Sequence, residues 1–362
     1  MTHTQRLKAV LEGKIADRPA FTAWGPHMNL VDRNAKDLAK ATIDYQNANQ
    51  FDFIKVMPNG MYFTEDFGQV LKPAEHILDE TWQNTLVYAI NDPHEWAKIK
   101  VPDMKKGAFA REIEAVKIIC DHFKGEVPVL PTIFSPFIWM GEMTGGYFRQ
   151  DAIVAHFRYS EKYARIGLEV VSETNMKLMD EFVNAGADGF FFAYQAGMAK
   201  LMGKEMFEEF GRKYDIRNIE SIRSKTWFNM AHICHGDAEH SEWFLDYPVD
   251  AFNWADQHKG QHSLAEMRKL TDKVLIGGLD HSKGGSYKEW DSLVKSPSDL
   301  SGSDREEIKA RLKAKIRKAM ADAGSKLIVS GGCGWGHGAV PRFGLWGEVM
   351  DEIGKEMRRS ND

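Results

Sequence analysis

Two short segments combine histidine, cysteine and glycine, residue types that bind soft metal ions and let a backbone pass close to a ligand. One reads HICHG at 232–236, and the other reads GCGWGHG at 332–338. In an extended segment the side chains of His232 and Cys234 point to the same side, because side-chain direction alternates with a period of two. Together with Cys333 they would supply three ligands around an open position, as in catalytic zinc sites, whereas structural sites are closed by four ligands. Thiolates favour zinc over magnesium or calcium.

The cysteines also have a plainer interpretation. Free cysteines are often buried as small hydrophobic residues, and an H-x-C pair alone does not distinguish the two possibilities. Cys120 falls on the apolar face of a helical pattern at 113–123, so we expect it to pack in the core. For Cys234 and Cys333 the choice depends on where the chain places them.

Apolar runs that alternate with helical patterns surround both segments. A first strand is predicted at 19–24, and regular alternation follows from about residue 110, with strands at 127–134, 188–194, 226–231, 250–255, 273–278 and 326–331. Alternation of this kind requires right-handed crossovers and a parallel sheet. Because no G-x-G-x-x-G opens a helix, a dinucleotide-binding sheet is disfavoured. We therefore predict an α/β fold, a (β/α)8 TIM barrel forming one catalytic domain over residues 1–362.

Two further details of the barrel are predicted. Short strand-like pieces at 53–57 and 85–90 are interpreted as a small β-rich insertion near the N-terminus. Capping boxes are expected at Ser263 with Glu266 and at Ser303 with Glu306. The segments with Cys234 and Cys333 both follow predicted strands, and active sites of such barrels lie at the carboxyl ends of the strands. This position favours the metal interpretation.

The bulk properties exclude several classes of protein. The 362 residues carry a net charge of -5, so the overall charge does not indicate electrostatic attraction to nucleic acid or an anionic membrane. No apolar run is long enough to span a bilayer, and the first residues do not resemble a signal peptide. Three cysteines do not suggest a disulfide framework. We therefore expect a cytoplasmic enzyme with no membrane or nucleic-acid partner.

Other polar residues near the strand ends are candidates for supporting roles. Glu142 is a candidate fourth, displaceable zinc ligand, or else a helix-entry or solvent-facing residue. Asp280 is a candidate for substrate binding or for orienting a histidine, or else it stabilises a turn. His337 is a candidate for contacting substrate or orienting a zinc ligand, or else a hydrogen-bonded loop histidine. Tyr194 is a candidate for contacting substrate, or else for packing in the core or at the rim. Large apolar residues near the same ends are candidates for a pocket wall: Trp24, Met28, Phe134, Trp139, Trp254 and Trp335.

Four motifs carry a resemblance to a known family. They are RLKAVLEGKIADRP (6–19), AGADGFFFAYQAG (185–197) with MFEEFGRKY (206–214), GGLD (277–280) and GWGHGAVP (334–341). The chain resembles the uroporphyrinogen decarboxylase superfamily over nearly its whole length, which implies a (β/α)8 barrel. One branch, the corrinoid-linked methyltransferases that include methylcobalamin:coenzyme M enzymes, binds zinc through H-x-C and a distant cysteine. His232, Cys234 and Cys333 match that pattern.

The segment after the first strand departs from the decarboxylases of this superfamily. Those enzymes bind substrate carboxylates with an arginine-containing MRQAGR loop, whereas this chain has FTAWGPHM at 21–28, without arginine. The departure argues against porphyrinogen decarboxylation. His27 lies where the decarboxylases have arginine and is a candidate for substrate selection.

The resemblance implies methyl transfer, in either direction, between a corrinoid (cobalamin) and a thiol or a methylated small molecule. The corrinoid would come from a separate corrinoid protein or as free methylcobalamin, and a homo-oligomer is possible. Two other functions stay open. A metal-free decarboxylating lyase would need an arginine cluster near the pocket, and a non-catalytic binding protein would close the zinc with a fourth protein ligand.

Overall fold

The strand sequences are apolar at consecutive positions, which suits strands covered on both faces. The computed structural model describes residues 1–25, 30–75, 85–146, 151–234, 240–280, 302–334 and 344–359, and for 195–200, 234 and 344 it describes the backbone alone. The strands are β1 (Ala20–Phe21), β2 (Ile54–Lys55), β3 (Val70–Leu71), β4 (Thr85–Val87), β5 (Val129–Leu130), β6 (Thr132–Phe134), β7 (Phe191–Gln195), β8 (Met230–Cys234), β9 (Ala251–Asn253), β10 (Val274–Leu279) and β11 (Leu327–Gly331).

Parallel pairing arranges most of these strands in one sheet, in the order β1-β11-β10-β9-β8-β7-β6. Strands β5 and β6 are separated only by Pro131, which has no N–H to donate to a ladder. Strand β2 pairs in parallel with β5, and the N–H of Asp52 donates to the carbonyl of Phe21 at 2.9 Å. These contacts join the remaining edges. If β5 and β6 are counted as one strand interrupted by Pro131, eight strands form a ring, and the predicted (β/α)8 fold is confirmed.

Alternate residues of the strands fill two separate apolar layers. One layer lies inside the ring and contains, among others, Trp24, Phe53, Met57, Phe191 and Ile276. The other lies between the strands and the surrounding helices. Residues directed to the inside at the carboxyl ends of the strands therefore converge on one region.

Helices cover the outside of the ring. They are α1 (His3–Leu11), α2 (Ala35–Asn49), α3 (Tyr62–Glu65), α4 (Gly107–Phe123), α5 (Pro136–Thr144), α6 (Asp151–Asn184), α7 (Ala196–Met206), a π-helix (Phe207–Arg212), α8 (Lys213–Ile222), α9 (Leu264–Leu270), α10 (Gly302–Ala323) and α11 (Gly344–Arg359). Among the helices placed by the structure, none has both the length and the apolar character needed to traverse a lipid bilayer.

Two details differ from the sequence predictions. The segment 53–57 is not part of an insertion, because the N–H groups of Ile54 and Val56 donate to the carbonyls of Pro128 and Leu130 and make it a barrel strand. The added β structure is the antiparallel pair of β3 and β4. The capping box at Ser263 is confirmed, whereas Ser303 does not cap α10, because this helix already begins at Gly302.

A buried carboxylate holds the start of the chain against the ring. Asp52 accepts hydrogen bonds from Arg6 at 2.6 Å, from Arg18 at 2.8 Å and from the N–H of Phe21 at 2.8 Å. Burial acts to raise the pKa of Asp52, but the hydrogen bond with His3 and the charges of both arginines outweigh it, and the pKa is lowered. The ionised carboxylate therefore fastens α1 and β1 to the segment that leads into β2.

Candidate active site

His232 and Cys333 come together at the carboxyl end of the barrel. His232 lies in β8 and is 4 % exposed, and Cys333 follows two residues after Leu327–Gly331 and is half-buried. Their Nε2 and Sγ atoms are 3.7 Å apart although the residues are separated by 101 positions in the chain. The structure thus brings together two of the three residues that the sequence nominated as metal ligands.

The separation of the two atoms fits a shared metal ion. A tetrahedral zinc ion with Zn–N of about 2.0 Å and Zn–S of about 2.3 Å holds such a pair about 3.5 Å apart. Among the side chains that the structure describes, no group of three potential ligands is found. Cys234 lies in β8, opposite Gln195 of β7, but its side chain is outside the described part.

An asparagine fixes the orientation of the His232 ring. The Nδ1 atom of His232 is 2.5 Å from Oδ1 of Asn253, while Nδ2 of Asn253 donates to the carbonyls of Ile276 and Gly331 at 2.9 Å each. Two carbonyls can only accept, so the amide nitrogen is fixed there and Oδ1 must accept from Nδ1–H. The ring is therefore oriented with Nε2, the nitrogen available to a metal ion, directed toward Cys333.

Aromatic rings surround the imidazole on its inner side. The ring of Phe191 lies 5.0 Å from that of His232, and the ring of Trp24 lies 5.6 Å from it, both measured between centroids. Trp24 and Phe191 also contact each other edge to face at 5.1 Å. Trp24 thus lies against the His232 ring, and together with Phe191 it makes the inner side of the site apolar.

Glu142 and Asp280 follow strands at the same end of the barrel. Glu142 lies in α5, directly after β6, and is 3 % exposed, so its alternative as a solvent-facing residue does not hold.

Asp280 follows β10, and its Oδ1 is 4.0 Å from Nε2 of His258. Burial raises the pKa of nearby Asp256 to about 7, and the charge of Asp280 acts in the same direction. Asp256 follows β9 and Asp280 follows β10, so these neighbouring strand ends place two acidic groups near each other.

Tyr194 occupies the layer between the strands and the helices. Its ring stacks on Phe244 at 5.6 Å and meets Tyr247 edge to face at 5.1 Å. The side chain is 2 % exposed. These contacts are typical of core packing, the second of its two predicted roles.

Three further predictions concern the other histidines and the remaining cysteine. His27 and His337 lie outside the described residues, so their roles stay predictions. Cys120 packs against the outer core, as expected, and burial raises the pKa of its thiol to about 12.

The sequence analysis missed two polar residues inside the barrel, Asn253 beside His232 and Lys55 over the Phe191 ring. Asn253 is fully buried within a strand that is otherwise apolar, and an amide in the run DAFNWA was the available signal. Lys55 belongs to the segment that was interpreted as an insertion. Its lysine between apolar residues marks it once β2 is recognised as a barrel strand.

Comparisons with known proteins show that the chain is similar to methyltransferases. The methylcobamide:CoM methyltransferase MtbA of Methanosarcina acetivorans is 20% identical over 201 residues, or 54% of this chain and 56% of the relative. MtbA of Methanosarcina mazei is 20% identical over 151 residues, or 42% of this chain and 43% of the relative. The chain spans about half the length of these relatives or less.

Solved structures share the fold. A methyltransferase from Methanosarcina mazei superimposes with a TM-score of 0.74 at 16% identity, covering 99% of both chains. A B12-independent methionine synthase from Shewanella sp. W3-18-1, in complex with selenomethionine, gives a TM-score of 0.52 at 14% identity, covering 95% of this chain and 94% of the other. A family model described as uroporphyrinogen decarboxylase (URO-D) matches residues 20–283. Because this match covers more than half of the chain, the protein belongs to the uroporphyrinogen decarboxylase family.

Proposed function

We propose that this protein is a zinc-dependent methyltransferase that moves a methyl group between a corrinoid and a thiol or a methylated small molecule. The names of the two MtbA relatives support methyl transfer with a cobamide. The observation that carries the proposal is the 3.7 Å approach of Cys333 Sγ to His232 Nε2. An imidazole and a thiol at this separation are a donor pair suited to zinc.

The residues that would hold the ion are His232, Cys234 and Cys333, with Glu142 as an exchangeable oxygen ligand. When bound, zinc would supply an open position at which a thiol ionises near neutral pH. The chain contributes the orientation of the ligands. Asn253 holds the His232 ring with Nδ1–H engaged, so the ring is already oriented for binding through Nε2.

The surroundings of the pair are apolar on one side. The rings of Trp24 and Phe191 pack against the inner side of His232. We expect the corrinoid, carried by a partner protein or free as methylcobalamin, to approach from the carboxyl ends of the strands, since the barrel interior is packed. Asp280, His27 and His337 remain our candidates for contacts with the small-molecule substrate.

The metal content of the purified chain tests this function. We expect about one zinc per chain by elemental analysis, largely lost in His232→Ala, Cys234→Ala and Cys333→Ala, because each variant removes one of three protein ligands. Cys120→Ala is the matched control, since this cysteine packs on the outer core, and it should retain the metal. Methyl transfer from methylcobalamin to a thiol, followed by the corrinoid spectrum, should disappear with the zinc.

Two results would contradict the proposal. Folded, zinc-free protein that decarboxylates an acid would favour the metal-free lyase. Zinc that persists in Cys333→Ala would show that the close pair is not part of the metal site.

A further inference from the structure

A cavity of about 570 Å³ lies at the amino end of the barrel. Ala20 and Leu327, the first residues of β1 and β11, belong to its wall. Cys333 follows the opposite end of β11, so the cavity and the candidate metal ligands lie at opposite ends of one strand. The volume falls within the range of about 300–1,000 Å³ that is typical of small-molecule sites.

The wall of this cavity is mainly apolar. The last two turns of α1, α10 and α11 contribute Val10, Met320, Ile353 and Met357 to it. Ile15, from the loop between α1 and β1, also lines the cavity and is 65 % exposed. The apolar wall therefore reaches the protein surface, and a molecule that covers it gains hydrophobic stabilisation.

Three basic side chains of the wall already have carboxylate partners. The pairs are Lys14 with Glu12, Arg18 with Asp52, and Arg317 with Glu356. In addition, α1, α10 and α11 all end beside the cavity, and the carboxyl ends of helices carry partial negative charge that disfavours an anion. The wall therefore suits an uncharged molecule better than an acidic one.

The cavity lies at the junction of β1 and β11. These strands pair through Ala20 with Ile328 and through Phe21 with Val329. Helix α1 lines the cavity on one side of the junction, and α10 and α11 line it on the other. A molecule bound there would contact both sides and would favour the folded barrel over the unfolded chain.

We propose that this cavity binds an uncharged, mainly apolar small molecule that bridges α1 to α10 and α11 across the junction of β1 and β11. The inference goes beyond the proposed function, because it involves neither the candidate metal ligands nor the carboxyl end of the barrel. A chain without zinc would bind the molecule equally well.

Two naphthalene derivatives of matched shape test the proposal, uncharged 2-naphthamide and anionic 2-naphthoate. We would titrate each compound into the full chain by calorimetry. We expect one naphthamide per chain, bound at least about 10-fold more tightly than naphthoate, because a carboxylate would lose its hydration at an apolar wall whose cations are already paired. Naphthamide should also raise the melting temperature, since it binds the folded chain.

Variants locate the bound molecule. Met357→Trp fills part of the cavity and should weaken naphthamide binding at least about 10-fold. Lys355→Trp is the matched control, because Lys355 is exposed on the same helix and does not line the cavity, and it should bind naphthamide as the wild type does. His232→Ala should also bind it normally, which distinguishes the cavity from the apolar side of the candidate active site.

Ala16→Phe replaces Met357→Trp if that variant does not fold, since Ala16 lines the cavity from the loop before β1. A wild type that binds no naphthamide, or that binds naphthoate as tightly, would overturn the proposal. Binding that persists in a folded cavity-filling variant, or that disappears in His232→Ala, would place the molecule elsewhere on the protein and refute the role of this cavity.

Discussion

Asn253 is held by three hydrogen bonds that leave its amide no freedom to rotate. Its Nδ2 is committed to the carbonyls of Ile276 and Gly331, and its Oδ1 receives Nδ1–H of His232. A ligand imidazole is usually oriented by such a partner, which fixes the tautomer and increases the basicity of the free nitrogen. Here the partner is a neutral amide, so it fixes the tautomer without adding negative charge to the site.

Replacing Asn253 by alanine tests this role at the scale of one residue. We expect Asn253→Ala to weaken zinc binding about 10- to 100-fold, because the His232 ring loses the bond that orients it. Competition with a chromogenic chelator measures the affinity. Asn218→Ala is the control, since Asn218 is also buried but bonds to Ser172 between two helices. Equal zinc affinity in both variants would show that the Asn253 amide does not orient the ligand.

Glycines let the ends of neighbouring strands approach closely. A Cβ atom at Gly332 would lie 2.5 Å from Cα of Ala255 and 2.8 Å from the carbonyl oxygen of Trp254. These neighbours are backbone atoms and cannot move aside alone. Cys333 follows directly in the chain, so the same approach sets its position relative to His232.

Gly332→Ala should therefore affect both stability and the metal site. We expect the free energy of unfolding to fall by about 1–3 kcal/mol, the usual cost of overpacking, and zinc affinity to fall with it as Cys333 moves. Denaturant titration and chelator competition measure the two effects. Gly347→Ala, where the added Cβ would meet only Phe21 at 3.9 Å, should change neither. Unaltered zinc binding in a destabilised Gly332→Ala would show that Cys333 adjusts independently of the strand.

The elements differ in how far sequence alone could predict them. The apolar run at 326–331 coincides with β11, whereas the run at 226–231 only overlaps β8, which extends through His232 to Cys234. Periodicity therefore placed both segments at the carboxyl end of the barrel but put the β8 strand too early. Strand β2 was missed as a barrel member because it is short and lies before the regular alternation. Its place depends on hydrogen bonds to Pro128 and Leu130, far away in the sequence. Lys55 was missed for the same reason, since an interior lysine is recognisable only once its strand is in the ring.

Buried carboxyl groups connect the stability of the whole molecule to pH. Burial is the main cause that raises the pKa of Asp32, Glu112, Asp215 and Asp256 to about 7 in each case. Each group prefers its protonated form in the folded state, so its ionisation costs stability as pH rises from about 4 to about 7. Asp52 acts in the opposite direction, because its lowered pKa contributes stability that is lost as pH falls through the folded value.

Asp215→Asn isolates one of these contributions. Asp215 accepts a hydrogen bond from the Tyr247 hydroxyl at 2.8 Å, which an asparagine oxygen can also accept. We expect the variant to be more stable than the wild type by about 4 kcal/mol at pH 8, with the difference shrinking toward pH 4. Denaturant titrations at several pH values measure it. A pH-independent difference for Asp215→Asn would exclude ionisation as the cause.

The hydrogen bonds of Asn253 have a consequence for the order of events during synthesis. One amide joins β9 to carbonyls of β10 and β11, and Cys333 lies 101 residues after His232. A nascent chain whose residues 327–333 are still inside the ribosome has neither the sulfur of Cys333 nor the Gly331 carbonyl that anchors the amide. The two side chains therefore come together only after β11 has emerged, and loading with metal would report that β11 has been inserted into the barrel.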